Sequence, residues 1–171
     1  MTKSEVIEKA LKIYEAAGIA LTDIEKKNIE IADFGLNDLD NTCLTLVTYV
    51  NTDRCCAKEM VLLPGQTCPE HRHPNVGGNK GKEETFRCRM GTVYLYVDGE
   101  KCDVEFPKNG VYTVSHEIVL KPGEQYTIYP TTLHWVRAGE DGAVISEFST
   151  PSFDDKDIFT DPAIRRVGKF G

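Results

Sequence analysis

The sequence predicts an all-β fold, a small β-barrel or jelly roll entered through a short N-terminal helical segment. Apolar residues recur at helical period only near the N-terminus. From Asp33-Phe34-Gly35 onward the chain breaks into many short, evenly spaced β-type runs parted by Gly and Pro turns. Its 171 residues suffice for one domain with a real core and are short for two, and neither a repeat nor a linker interrupts them. The expected organisation is a single domain, residues 1–171. It comprises a helical lead-in (1–33), a barrel (43–150) and a C-terminal extension (151–171).

The elements follow in order. Residues 4–17 read as a helix, with Ile7, Leu11 and Tyr14 on one face, Ala10, Ile13 and Ala17 beside it, and Gly18 as the stop. Thr22 and Glu25 form a capping-box pattern for a second short helix. Strands are expected at 44–50, 57–63, 85–90, 93–97, 111–114, 117–120, 125–129, 134–138 and 143–149. Asp98-Gly99 reads as a tight hairpin. The tail from Ser152, with its charge run 154–157, reads as a solvated surface extension.

Composition narrows the function. Hydrophobic content of 40% suits a globular interior. A net charge of −7 and a pI near 5.1 argue against a nucleic-acid or anionic-membrane partner. No apolar run reaches the roughly 18 residues of a membrane span. The N-terminal residues enter a helix rather than a signal-peptide core, and the six cysteines form no C-x-x-C pair. A cytoplasmic protein with free thiols is expected.

The chemistry concentrates in four side chains. Gly65 is followed after five residues by His71-Arg72-His73; Glu84 is followed after six by Gly91; His134 precedes Trp135. Side chains two apart in a strand share a face, so His71 and His73 point together. Lys82, Glu84, Phe86 and Cys88 share one parity, while Arg72, Arg87 and Arg89 fall on the other and face outward. An H-x-H pair by itself also suits two partly buried histidines with ordinary hydrogen bonds. The glycine frame, the glutamate in phase and the later histidine favour one metal site, with three imidazoles and a carboxylate as ligands and positions left open for substrate. Glu83 is the rival carboxylate; phase and the six-residue gap to Gly91 favour Glu84. Cys68 lies near the site, as a soft ligand the spacing does not need. His116 reads as structural, and Tyr94, Tyr96, Tyr129, Trp135 and Phe148 read as core.

This arrangement resembles the cupin superfamily, whose first motif runs Gly, five residues, His-x-His, three or four residues, Glu, six residues, Gly. The chain departs from it in the middle, where ten residues separate His73 from Glu84. In the looser second motif, Gly123 and Pro130 are present, His134 comes one position early and Thr132 stands where glycine is usual. The segments 69–74, 81–89 and 93–99, Tyr126-Thr127-Ile128, His134-Trp135 and 157–162 resemble the D-lyxose isomerase family of cupins. That resemblance implies a cupin-type barrel, a manganese-dependent (Mn2+) isomerase of D-lyxose and D-xylulose that also acts on D-mannose and D-fructose, a free sugar as substrate, and a homodimer.

Aldose–ketose isomerisation moves a hydrogen between C1 and C2. It needs a Lewis acid for the charge on the neighbouring oxygens of a cis-enediol, and a base to carry the proton. Glu84 is spent as a ligand. Glu147 is the base candidate, a carboxylate on the same strand face as Ala143 and Ile145, against the alternative of an outward, solvated glutamate. Lys82, in phase with Glu84, is the second candidate, for polarising a sugar oxygen or relaying a proton. The resemblance supports both positions. A hydride shift is the rival route. Rival functions are a cupin dioxygenase, which needs no inward base, and a sugar-binding cupin without turnover. A phosphosugar isomerase would need several inward cations.

Overall fold

The structure, a computed structural model, describes residues 1–166. Helix α1 (Lys3–Ala16) starts at Thr2, whose hydroxyl accepts from the Glu5 amide while the Glu5 carboxylate accepts from the Thr2 amide. The same reciprocal cap, Thr22 with Glu25, opens α2 (Asp23–Lys27) as the sequence predicts. The buried row of α1 is Val6, Ala10 and Tyr14, with Ile7 and Leu11 at its flank. The predicted face is therefore turned by one position.

Among the described residues nine strands follow: β1 (Glu30–Ala32), β2 (Leu44–Asn51), β3 (Cys56–Leu62), β4 (Thr67–Arg72), β5 (Glu84–Val97), β6 (His116–Leu120), β7 (Gln125–Ile128), β8 (His134–Ser149) and β9 (Ile158–Phe159). The runs expected at 85–90 and 93–97 fuse into β5, and those at 134–138 and 143–149 fuse into β8. These two strands bend and serve both leaves of the barrel. The first half of β8 lies between β4 and β5, and its second half between β3 and β5. One leaf then reads β1-β2-β3-β8-β5-β7 and the other β9-β4-β8-β5-β6. The bend depends on Gly91: its φ is +76°, and a β carbon there would collide with the Gly142 carbonyl oxygen.

Inward-facing residues of both leaves, among them Leu46, Met60, Phe86, Leu95, Val136 and Ile145, form the main core. The outer face of the first leaf is covered by α1, which packs on Val47, Val61 and Val144. The outer face of the second leaf carries Tyr96 stacked on Trp135 at 3.8 Å, under Val114, whose carbonyl accepts from the Trp135 indole.

Several expectations are corrected. Asp98-Gly99 closes no tight hairpin: Val97 pairs with His116, so residues 98–115 leave the sheet and return, and 111–114 form no strand. That excursion lies over the Tyr96–Trp135 face, where side-chain packing outweighs strand pairing. The lead-in contains β1. Tyr129 and Phe148 are exposed rather than core. The tail is not a free surface extension either, because β9 pairs with β4 beside His71. The last five residues of the expected extension, 167–171, lie outside the described residues. No helix among the described residues is long and apolar enough to cross a membrane.

Candidate metal and catalytic site

The site is assembled at one end of the barrel by strand ends. His71 lies near the end of β4 and His73 just past it; both are buried, and Arg72 between them is exposed, as strand alternation requires. Glu84 opens β5, fully buried, while Glu83 is exposed, so the in-phase carboxylate is the one that faces the imidazoles. His134 opens β8 directly across from His71. The loop between His73 and Glu84 returns through Gly81, which packs so tightly on the His73 carbonyl oxygen that no β carbon fits.

Each imidazole is oriented through Nδ1. That nitrogen meets the Pro69 carbonyl at 2.8 Å in His71, Asp157 Oδ1 at 2.6 Å in His73 and the Thr132 carbonyl at 2.9 Å in His134. An acceptor at Nδ1 keeps the proton there and leaves the lone pair on Nε2, the tautomer a metal requires. One ligand atom from each of the three rings lies within 4.8 Å of the other two. Glu84 Oε1 stands 2.9 Å from His73 Nε2 and 3.0 Å from His134 Nε2. His134 Nε2 is buried and out of line for a hydrogen bond. A buried lone pair facing a carboxylate oxygen at that range is repulsive unless a cation joins them, so the donor set fits a metal ion.

The electrostatics agree. Burial and the neighbouring rings hold His71 well below the usual imidazole value, in the neutral, ligating form. For His73, burial and Lys82 push down, but Glu84 and Asp157 push up further, to about 9. Those carboxylates draw positive charge to that ring, whether as a proton or as a metal. Burial alone would raise Glu84; Lys82 and His73 hold it well below the carboxylate range.

The two catalytic candidates are also inside. Lys82, held in a charged state against its burial by Glu147 and Glu84, lies 2.7 Å from Glu84 Oε2 and 3.0 Å from Glu147 Oε1. Glu147 is 3% exposed, so the outward alternative is wrong. Both line a cavity of about 50 Å³ whose wall also includes His71, His73, Met60, Phe86 and Ile145. Cys68 is on its wall but outside the converging imidazoles. His116 Nδ1 donates to the Glu100 carbonyl, away from this group.

Three cavity residues escaped the sequence reading. Asp154 and Asp157 were expected in solvent; Asp154 binds Lys58 at 2.9 Å, and Asp157 orients His73. The short apolar pair Ile158-Phe159 just after them was the available signal. Lys58 shares inward parity with Met60 and Leu62, and the argument that singled out Glu147 applied equally to it. The outward arginines are as expected: Arg72 and Arg89 are exposed and Arg87 half-buried. The cavity does contain cations, but each is paired: Lys82 with Glu84 and Glu147, Lys58 with Asp154, Arg166 with Glu30 and Asp154.

No family model matches the chain. A curated D-lyxose/D-mannose isomerase of Thermosediminibacter oceani is 63% identical over 175 residues, covering 98% of this chain and 97% of that protein. A D-lyxose ketol-isomerase of Cohnella laeviribosi is 55% identical over 168 residues, covering 95% and 92%. Among solved structures, an L-ribose isomerase of Cellulomonas parahominis superposes with a TM-score of 0.74 at 15% identity, covering 96% of this chain and 94% of that one; this likeness marks the barrel as cupin-type. The relatedness over nearly full length, joined to an imidazole cluster that faces a buried glutamate, leads to one assignment: the chain belongs to the D-lyxose isomerase family of sugar isomerases.

Proposed function

We propose that the protein interconverts D-lyxose and D-xylulose, and D-mannose and D-fructose, by moving a proton between C1 and C2 of the free sugar. The observation that carries this reading is Glu147, a buried carboxylate lining the same small cavity as His71, His73 and Glu84. His71, His73, His134 and Glu84 would hold a divalent ion, Mn2+ by family resemblance. Bound there, it supplies Lewis-acid stabilisation of the negative charge that develops on the sugar oxygens.

The chain's own residues do the rest. Glu147 takes the proton from C2 of the aldose, becomes a carboxylic acid, and returns the proton to C1, while the O2 hydroxyl proton passes to O1; the reverse reaction runs the same path backwards. Lys82 donates to Glu147 Oε1 and forms an ion pair with Glu84 Oε2, which fixes the base relative to that carboxylate, and it is our choice for polarising a sugar oxygen. The apolar floor of Met60, Phe86 and Ile145 excludes water from the intermediate. The paired state of Lys58, Lys82 and Arg166 supports a neutral sugar over a phosphosugar. A buried base also has no place in a dioxygenase. A homodimer, on family grounds, and a cytoplasmic location, on the ground of the free thiols, are part of the proposal.

The test is to strip the metal, restore Mn, Fe, Co, Ni or Zn singly, and assay D-lyxose and D-mannose for ketose. Ketose formation restored by one or more ions is expected; none with any ion refutes the reading. Glu147→Gln is expected to lower kcat by about 10²- to 10⁴-fold with metal content unchanged. Near-normal turnover would remove Glu147 from the mechanism.

A further inference from the structure

Lys58 is a buried cation with no part in the reaction described so far. It stands on β3 directly opposite Glu147 on β8, 4% exposed, facing the cavity. Its Nζ lies 2.9 Å from both Asp154 carboxylate oxygens, 3.0 Å from Ser152 Oγ and 3.9 Å from Glu147 Oε1.

Glu147 Oε1 also accepts from Lys82 at 3.0 Å and from Ser149 Oγ at 3.1 Å. All three groups fall on Oε1. Among the described residues, the enclosed side-chain atoms without a hydrogen bond are Thr45 Oγ1 and His134 Nε2. Among the described residues Glu147 Oε2 takes no hydrogen bond and is not one of those enclosed atoms, and Glu147 lines the cavity. The carboxylate is thus divided into an anchored oxygen and a free one. Lys58 would close on Glu147 if nothing opposed it, because two buried opposite charges attract strongly at low dielectric. Asp154 opposes it, taking the ammonium at hydrogen-bond range and leaving it a full ångström farther from Glu147.

We propose that Lys58 is a positioning residue for Glu147, and that Ser152 and Asp154 of the C-terminal segment set its distance so that Oε1 is anchored and Oε2 stays free for the sugar. This inference rests on the assignment of Glu147 as base. It gives the C-terminal segment a share in catalysis through Lys58.

The experiment is a double-mutant cycle of Lys58→Met and Glu147→Gln on the metal-loaded enzyme, with metal content and folding checked. Lys58→Met is expected to lower kcat by about 10- to 100-fold with KM little changed, as for a misplaced catalytic group. The loss should vanish in the Glu147→Gln background, and Lys58→Arg should recover part of the rate. Asp154→Asn, which frees Lys58 to take Oε2, should lower kcat while retaining metal. If Lys58→Met does not fold, Asp154→Asn carries the same cycle. Equal losses in both backgrounds, or a raised KM at constant kcat, would overturn the proposal while leaving the base assignment standing. Full activity in Glu147→Gln alone would overturn both.

Discussion

The ligand imidazoles are set by what lies behind them. Pro69 and Thr132 orient His71 and His134 with backbone carbonyls, but His73 depends on a side chain, Asp157. Asp157→Asn should therefore weaken metal binding by about 10- to 100-fold, as removal of an outer partner of a ligating histidine does. Titration of the stripped protein with Mn2+ or Zn2+ measures this, and unchanged affinity would show Asp157 to be idle. A second residue of this kind is Glu70, fully buried on β4 one position before His71. Its carboxylate accepts from the Thr113 amide at 2.6 Å, the Val114 amide at 2.9 Å, and the Thr113 and Thr160 hydroxyls at 2.8 and 2.6 Å. Glu70→Ala strands those donors and should cost several times the roughly 1–3 kcal/mol of one unsatisfied buried group; urea unfolding reads it.

At the level of elements, β5 and β8 carry the design. β5 begins at Glu84 and β8 at His134, and each runs through a bend into the other leaf. The bend sets the two halves of the barrel around the cavity. Gly91→Ala should be destabilising by more than the roughly 1–2 kcal/mol of a left-handed non-glycine residue, because the added carbon also meets the Gly142 carbonyl. A Tm within a degree of the parent would contradict that. The sequence showed both halves of each strand by their alternation, and it located Gly91 as a motif position. It did not show that the halves join, because a bulged bend and a loop look alike in composition.

Over the whole molecule, the C-terminal segment closes the barrel by charge as well as by pairing. Burial raises the Asp154 carboxyl, and Lys58, Lys82 and the bonds from Lys58 and Ser152 lower it further, to well below the ordinary aspartate range. Arg166 also faces it at 3.6 Å. A carboxyl depressed in the folded state contributes its full stability above the unfolded value of about 3.9 and loses it as pH falls below that. Unfolding free energy should thus decline from pH 5 towards pH 3 more shallowly in Asp154→Asn than in the parent; parallel curves would remove Asp154 from the acid response. By itself the sequence determined the barrel class, the capping box of α2, the inward facing of His71, His73, Glu84 and His134, and the inward Lys82 and Glu147. Those rest on local periodicity and spacing, which strand geometry converts directly into direction. Only the tertiary structure decided that a polar run after Ser152 turns inward, that Asp157 serves His73, and that Lys58 meets Glu147 under the hold of Asp154. The reason is physical: a charge run reads as solvated until the fold supplies buried opposite charges to meet it, and partners 84 or 96 residues away leave no local trace.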